Sequence, residues 1–203
     1  MTEESLSARL ISLPALENVH LLAPTAASAL QLLPPTIAAA VSVAAIDPAV
    51  SDTAAFCERY GIPVAAAANC VVVSGRRADV TTLAACVVLA TTRADVNGTV
   101  RRLLDVRKIS FASMDVAVSA SGMEYGGITP IGLPASWPLF IDRAVVDAGD
   151  VIVGSGVRRS KIVVAGSTLA LLPNAQVIDG LGLPTTQDAI AGGADVEGAT
   201  PGA

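Results

Sequence analysis

A single histidine, His20, stands in the whole 203-residue chain, and that scarcity excludes more function classes than anything the chain contains. A zinc site or a His-based catalytic triad has almost no material to build on, and neither a metal nor a cofactor is expected. The three cysteines, Cys57, Cys70 and Cys86, are odd in number and form no CxxC pair, which fits buried thiols in a reducing compartment rather than a disulfide framework. Aromatics make up 3 % of a chain that is 52 % hydrophobic, so the core must be assembled from many small Ala and Val contacts. No clean apolar run reaches about twenty residues. The most apolar early stretch, residues 21–46, is broken by Pro24, Pro34 and Pro35, which argues against a membrane span. The start, Met1-Thr2-Glu3-Glu4, is acidic where a secretory signal carries positive charge, so a cytoplasmic location is expected.

Basic charge is also missing from both ends. Arg9 is the one basic residue before Arg59, and none follows Lys161, although the net charge of the chain is only −5. The central segment is therefore net positive, and its basic residues come in groups: Arg76-Arg77, Arg101-Arg102, Arg107-Lys108, and Arg158-Arg159 with Lys161. Such groups suit a local phosphate-facing surface on an otherwise acidic protein, or else ordinary solvated surface.

The length fits one domain with a sizeable core. Residues 41–46 read as a strand ended by Asp47-Pro48. A helix follows, capped by Ser51 or Asp52, with Ala55, Phe56 and Tyr60 on its apolar face and Gly61 as its stop. Residues 69–73 and 83–90 read as an antiparallel hairpin around the polar turn 74–79. Asp95 caps a helix whose apolar positions are Val96, Val100, Leu103 and Leu104. Ile109 to Phe111 reads as a strand, and Ser113 or Asp115 opens a helix that Gly122 ends. Strands at 139–142, 151–153 and 161–164, a helix near 168–172 and a strand near 176–178 complete the pattern. The fold class is α/β in the broad sense, more narrowly α+β with a largely antiparallel sheet. We expect residues 1–40 to form a helical cover, residues 41–183 the main domain and residues 184–203 a disordered tail.

The most unusual segment, Gly122-Met123-Glu124-Tyr125-Gly126-Gly127-Ile128-Thr129-Pro130-Ile131-Gly132-Leu133-Pro134, is punctuated by glycine and proline. Gly126 and Gly127 let the main chain approach a ligand or take positive φ, while Pro130 and Pro134 stiffen the exit, so amide N–H groups can be aimed at a carbonyl or oxyanion. The plainer reading is a tight connection. The loop Gly126-Gly127-Ile128-Thr129-Pro130-Ile131-Gly132 is similar to the Gly-Gly-Val-Ser-Pro-Phe-Gly loop of the YbaK/EbsC family of aminoacyl-tRNA editing domains. Leu139-Phe140-Ile141-Asp142 resembles that family's apolar strand ending in Asp, and Gly154-Ser155-Gly156-Val157-Arg158-Arg159-Ser160-Lys161 resembles its Ser-Gly-Gly-Arg-Arg-Gly turn. The likeness covers residues 47–180.

The resemblance implies a mixed sheet partly closed into a barrel and flanked by helices. It also implies hydrolysis in trans of amino acids wrongly esterified to tRNA, of the Cys- or Ala-tRNA(Pro) type. It assigns Gly126, Thr129, Pro130, Asp142 and Asn69 to catalysis, and Gly127, Ile128, Gly132, Ser155 and Gly156 to substrate binding. The partners are the 3′ aminoacyl end of tRNA, whose terminal adenosine supplies part of the catalytic surface, and an aminoacyl-tRNA synthetase. Arg76, Arg77, Arg101, Arg102, Arg158, Arg159 and Lys161 are the expected tRNA contacts.

One position departs from the pattern. Family members carry a lysine in a Lys-Ser/Thr-Leu strand, and here the segment is Asn69-Cys70-Val71. An amide donates and accepts hydrogen bonds but brings no charge. Another basic residue, such as Arg76 or Arg158, must then compensate, or the chain has changed substrate or become a non-catalytic module binding a tRNA end, a nucleotide or a protein. Cys70 and Cys86 read as buried filler, with a nucleophile reaching the pocket as the alternative role of Cys70, His20 as structural or exposed, and Trp137 as a lid or packing residue, with stacking on adenine as its alternative role.

Overall fold

The computed structural model describes residues 6–185. The helices are α1 Leu6–Arg9, α2 Pro24–Leu32, α3 Pro35–Ala39, α4 Thr53–Tyr60, α5 Arg101–Leu103, α6 Met114–Ser121, α7 Arg143–Asp147 and α8 Gly166–Leu169. The strands are β1 Leu13–Pro14, β2 Ser42–Ala45, β3 Ala68–Arg77, β4 Val80–Leu89, β5 Thr92–Ala94, β6 Lys108–Phe111, β7 Leu139–Asp142, β8 Asp150–Gly154, β9 Ser160–Ala165, β10 Ala175–Ile178 and β11 Gly182–Pro184. Among the described residues no helix is long and apolar enough to cross a membrane.

Local chemistry places the elements much as the sequence suggests. Asp52, in extended geometry, accepts from Ala54 N at 3.0 Å and opens α4, while Gly61 closes it in the left-handed region at φ 63°. Ser113 and Gly122 bracket α6 in the same way. The hairpin runs longer than the apolar pattern alone indicates, with β3 and β4 paired from Ala68↔Leu89 to Arg77↔Val80, so the turn shrinks to Ala78-Asp79. Strand order is β10-β7-β4-β3-β6 in one sheet and β1-β2-β9-β8 in another, with β11-β5 as a small ribbon. The pairs β3-β4, β3-β6, β2-β9 and β8-β9 are antiparallel, whereas β7 lies parallel to β4 and β10. The result is a mixed α+β fold. Neither larger sheet closes on itself in its strand order; an isolated parallel bridge, Ala67↔Ile152, ties one to the other.

Beyond α7, β1 and β5, which the sequence pattern does not mark, two segments differ from it. The helix expected after Asp95 is a π turn, Val96–Val100, followed by the short α5. Val100 N reaches back five residues to Asp95 O, and the Asp95 carboxylate folds over the turn to accept from Gly98 N and Thr99 N at 3.0 and 2.8 Å. That fold needs glycine, because a Cβ at Gly98 would stand 2.3 Å from Asp95 Oδ2. The second difference is at the C-terminal end, where Pro184 pairs with Thr92 in the β11-β5 ribbon; the rest of the expected tail lies outside the described residues.

The main core is as fine-grained as the composition implies: Val41, Val43, Val87, Ile141, Val151, Ile162 and Val164 pack with Leu22, Ala26 and Leu30 from the N-terminal segment. Those N-terminal side chains thus share the core of the sheets.

Candidate active site

Where β3 and β8 approach each other, α4, the loop before α4 and the Gly126 loop enclose a cavity of about 610 Å³. That volume lies in the range of small-ligand clefts, roughly 300–1,000 Å³. Most of the wall is small and apolar: Ala67, Ala68, Cys70, Val72, Ala117, Ile128, Ile152 and Val153. The polar groups are gathered together: Ser51, Asp52 and Thr53 at the entry to α4, Asn69 on β3, and Lys161 on β9. Two exposed aromatics, Phe111 and Tyr125, also line it, at 57 % and 59 % relative exposure.

The polar cluster is held by few bonds. Thr53 Oγ1 donates to Asn69 Oδ1 at 2.7 Å, and Lys161 Nζ donates to the Ser51 carbonyl at 2.9 Å. Lys161 is buried, 7 % exposed, with its ammonium 5.4 Å from the Phe56 ring centroid. Desolvation by burial pushes its pKa down, and Arg158 adds to that, while Cys57 and Asp52 oppose it. Cys70 faces the cavity, but burial pushes its thiol well above the ordinary value, so it stays protonated and a poor nucleophile. Cys86, behind it, is pushed up to about 12 by the same cause.

The loop above the cavity is tied to the turn between β8 and β9. Glu124 N donates to Gly156 O at 2.8 Å, Gly156 N to Gly127 O at 2.6 Å, and Arg158 N to the Glu124 carboxylate at 2.7 Å. Within the loop, Gly127 N is spent on Glu124 O, Thr129 N on Met123 Sδ and Ile131 N on Thr129 Oγ1. Gly126 and Ile128, both on the cavity wall, make no hydrogen bond among the described residues. Their amides, like that of Tyr125 beside them, have no acceptor among the described residues and are open to a ligand.

Residues 47–171 match the model of the aminoacyl-tRNA editing domain. The chain belongs to that family. The editing reaction is deacylation of aminoacyl-tRNA, an ester hydrolysis, and the chain is an enzyme of that class. The editing domain is similar in structure to a candidate trans-editing enzyme for prolyl tRNA synthetase, with a TM-score of 0.62 at 21 % identity over 78 % of this chain and 97 % of that one. It is similar also to the crystal structure of a hypothetical protein, with a TM-score of 0.64 at 17 % identity over 73 % of this chain and 95 % of the other. A scaffold used for grafting linear epitopes gives a TM-score of 0.63 at 22 % identity over 78 % and 97 % of the two chains. At such identities the likeness is one of fold. No curated protein matches the chain.

Of the residues singled out in the sequence of this editing domain, Gly126, Ile128, Asn69 and Lys161 meet at the cavity. Thr129 and Pro130 are buried behind the loop, with Thr129 Oγ1 turned to Ile131 N, and Asp142 is buried with its carboxylate accepting from Gly182 N at 2.9 Å. None of these three lines the cavity. Gly127 is packed so closely on Val157 that a Cβ would lie 2.7 Å from its backbone, and Gly132 and Gly156 press in the same way on Thr25 and Ala23. Ser155 is buried in bonds to Val157 O, Ser160 O and Ser160 Oγ. These four build the loop platform.

The basic groups separate. Arg76 and Arg77 sit at the exposed hairpin end, paired with Asp79 and Asp105; Arg101 and Arg102 are exposed on α5. Arg158 and Arg159 are exposed beside the loop, donating to Pro48 O and His20 O. Lys161, expected among the surface contacts, points inward instead. Trp137 is buried with Val72 and Ala117, so the aromatics at the mouth are Phe111 and Tyr125. Sequence reasoning missed Ser51, Thr53, Phe111 and Tyr125. Tyr125 carried a signal, being an aromatic inside the glycine loop.

Proposed function

We propose that the cavity hydrolyses the ester of tRNA(Pro) mischarged with alanine or cysteine. The observation that carries this reading is the joint arrangement in one cavity of a small-residue apolar wall, a polar end and loop amides that have no acceptor among the described residues. The apolar wall suits a small side chain. The Gly126 and Ile128 amides are suited to polarise the ester carbonyl, since preorganised donors act where charge develops. Tyr125 and Phe111 at the mouth suit stacking on the terminal adenosine, and the exposed arginine pairs suit the phosphates behind it. Asp52 is the sole carboxylate among the lining residues, and it caps α4. The attacking water is therefore best activated with help from the ribose hydroxyl of the substrate itself. Prolyl-tRNA synthetase is the partner whose errors such an enzyme removes, and the cytoplasm is where it would act.

A second reading, a binding module for tRNA ends, is favoured by Asn69, whose carbonyl is occupied by Thr53 and which brings no charge. Mixing the protein in excess with Ala-, Cys- and Pro-tRNA(Pro) separates the two. Release of free alanine or cysteine with Pro-tRNA(Pro) left intact supports the deacylase. Binding of all three without release supports the module.

A further inference from the structure

We propose that Lys161 Nζ and Ser51 Oγ, beside Gly126, receive the carbonyl oxygen of the bound aminoacyl ester, so that β9 supplies the cation that Asn69 does not. This rests on the deacylase reading of the cavity and adds a catalytic residue to it.

Three observations converge on the same wall. Lys161 is buried and makes no ion pair among the described residues; its one hydrogen bond goes to a neutral carbonyl, Ser51 O, at 2.9 Å. An ammonium has three N–H groups, so two remain without an acceptor. Burying such a group uncompensated is costly, and a long lysine stem reaches solvent easily where nothing holds the head inside. Ser51 lines the cavity and is 1 % exposed, and its buried hydroxyl has no hydrogen-bond partner. A Cβ built on Gly126 would stand 3.9 Å from Ser51 Oγ and 3.1 Å from the Arg158 guanidinium, so this loop glycine lies beside the serine whose carbonyl holds the Lys161 ammonium. What all three lack is one acceptor oxygen with room for charge.

In the reaction, the oxygen of a water molecule bonds to the ester carbon and the carbonyl π pair moves onto the carbonyl oxygen. Lys161, Ser51 and the Gly126 amide then hold that oxyanion. Collapse re-forms the carbonyl and breaks the bond to the ribose oxygen, which takes up the proton lost by the water. Free amino acid and tRNA with an intact 3′ end result.

The test uses the full chain and a hydrolysis-proof probe, 3′-alanylamino-3′-deoxyadenosine. Lys108 and Lys161 are the two lysines of the sequence, so ε-¹³C-lysine labelling gives two signals that Lys161→Met assigns. In single-turnover assays on Ala-tRNA(Pro), Lys161→Met is expected to lose about 100- to 1,000-fold in rate with little change in substrate affinity, as for a lost oxyanion donor. Ser51→Ala is expected to lose less, and Lys161→Arg to recover part of the rate. The Lys161 signal of wild type should move as the probe binds, and its titration should shift upward. Unchanged turnover in Lys161→Met, or probe binding that leaves the Lys161 signal in place, overturns the assignment while the deacylase reading stands. Should wild type release no amino acid, the deacylase reading fails by itself. The probe then decides alone: a moving Lys161 signal keeps the pair as a ligand-binding cation, and a still one removes it.

Discussion

Lys161 shows how a single residue can be held against its own solvation. Its pKa is lowered in the fold, so between that value and the ordinary one the unfolded chain binds the extra proton. In that window stability rises with pH, and below it the full cost of the buried charge is present. Lys161→Met should therefore be at least as stable as wild type at neutral pH, and the gap should narrow as pH climbs towards the usual lysine value. Thermal unfolding of both proteins at several pH values checks this; a Lys161→Met protein clearly less stable at pH 7 would mean that the lysine is structural. Gly126 and Gly127 offer a paired residue-scale prediction. At Gly126, φ +80° strains any side chain, but the one tight contact of a Cβ would be the end of the Arg158 side chain, at 3.1 Å, with Ser51 Oγ at an ordinary 3.9 Å. Gly126→Ala should cost about 1–2 kcal/mol in stability and lower the deacylation rate. Gly127→Ala should cost more in stability, because its Cβ would strike the Val157 backbone. Urea unfolding curves rank the two, and the reverse order would contradict the packing described for the loop.

At the scale of elements, the π turn is the clearest case for prediction. Hydrogen bonds from Thr99 and Gly98 hold the Asp95 carboxyl below its usual value. Its contribution is present above the ordinary carboxylate range and lost as pH falls through the lowered one. Asp95→Ala should remove about 0.5–2 kcal/mol, and wild type and variant should converge in stability at acid pH. A constant gap in denaturant midpoint from pH 7 to pH 2 would contradict the cap. On α5 just beyond, Arg101 and Arg102 are exposed and form no salt bridge among the described residues, although Arg102 is close enough to Asp95 to help hold its carboxyl down. Their double Ala variant should weaken tRNA binding at low salt and lower the salt slope by about 1–2; identical slopes would return the pair to ordinary surface. What was readable in the sequence at this scale followed from local causes. Asp52 and Gly61 delimit α4 by capping, and the apolar run after Asn69 makes a strand wherever it is placed. The π turn was not readable, because it depends on a carboxylate closing over Gly98, which a periodicity of apolar residues does not register.

At the scale of the molecule, the site is a meeting of distant segments. Ser51, Asn69, Gly126 and Lys161 converge although more than a hundred residues separate the first from the last. The Gly126 loop announced itself by composition, and Asn69 by its departure from a family pattern. Lys161 stood in the sequence as one more member of a basic cluster. Its inward direction is set by β9 lying between β2 and β8, a tertiary arrangement that Ser160-Lys161-Ile162 does not reveal. Asp142 lies away from the cavity for a related reason: β7 is separated from the cavity-lining β3 by β4, and its terminal carboxylate is taken by Gly182 N.

The central claim is that this cavity is where a small aminoacyl ester is hydrolysed. The most direct test is the single-turnover rate on one tRNA(Pro) charged in turn with alanine, cysteine, leucine and phenylalanine. The small apolar wall predicts fast release of alanine and cysteine and a steep fall for the larger side chains. Equal rates across the series, or no release from any of them, would contradict it.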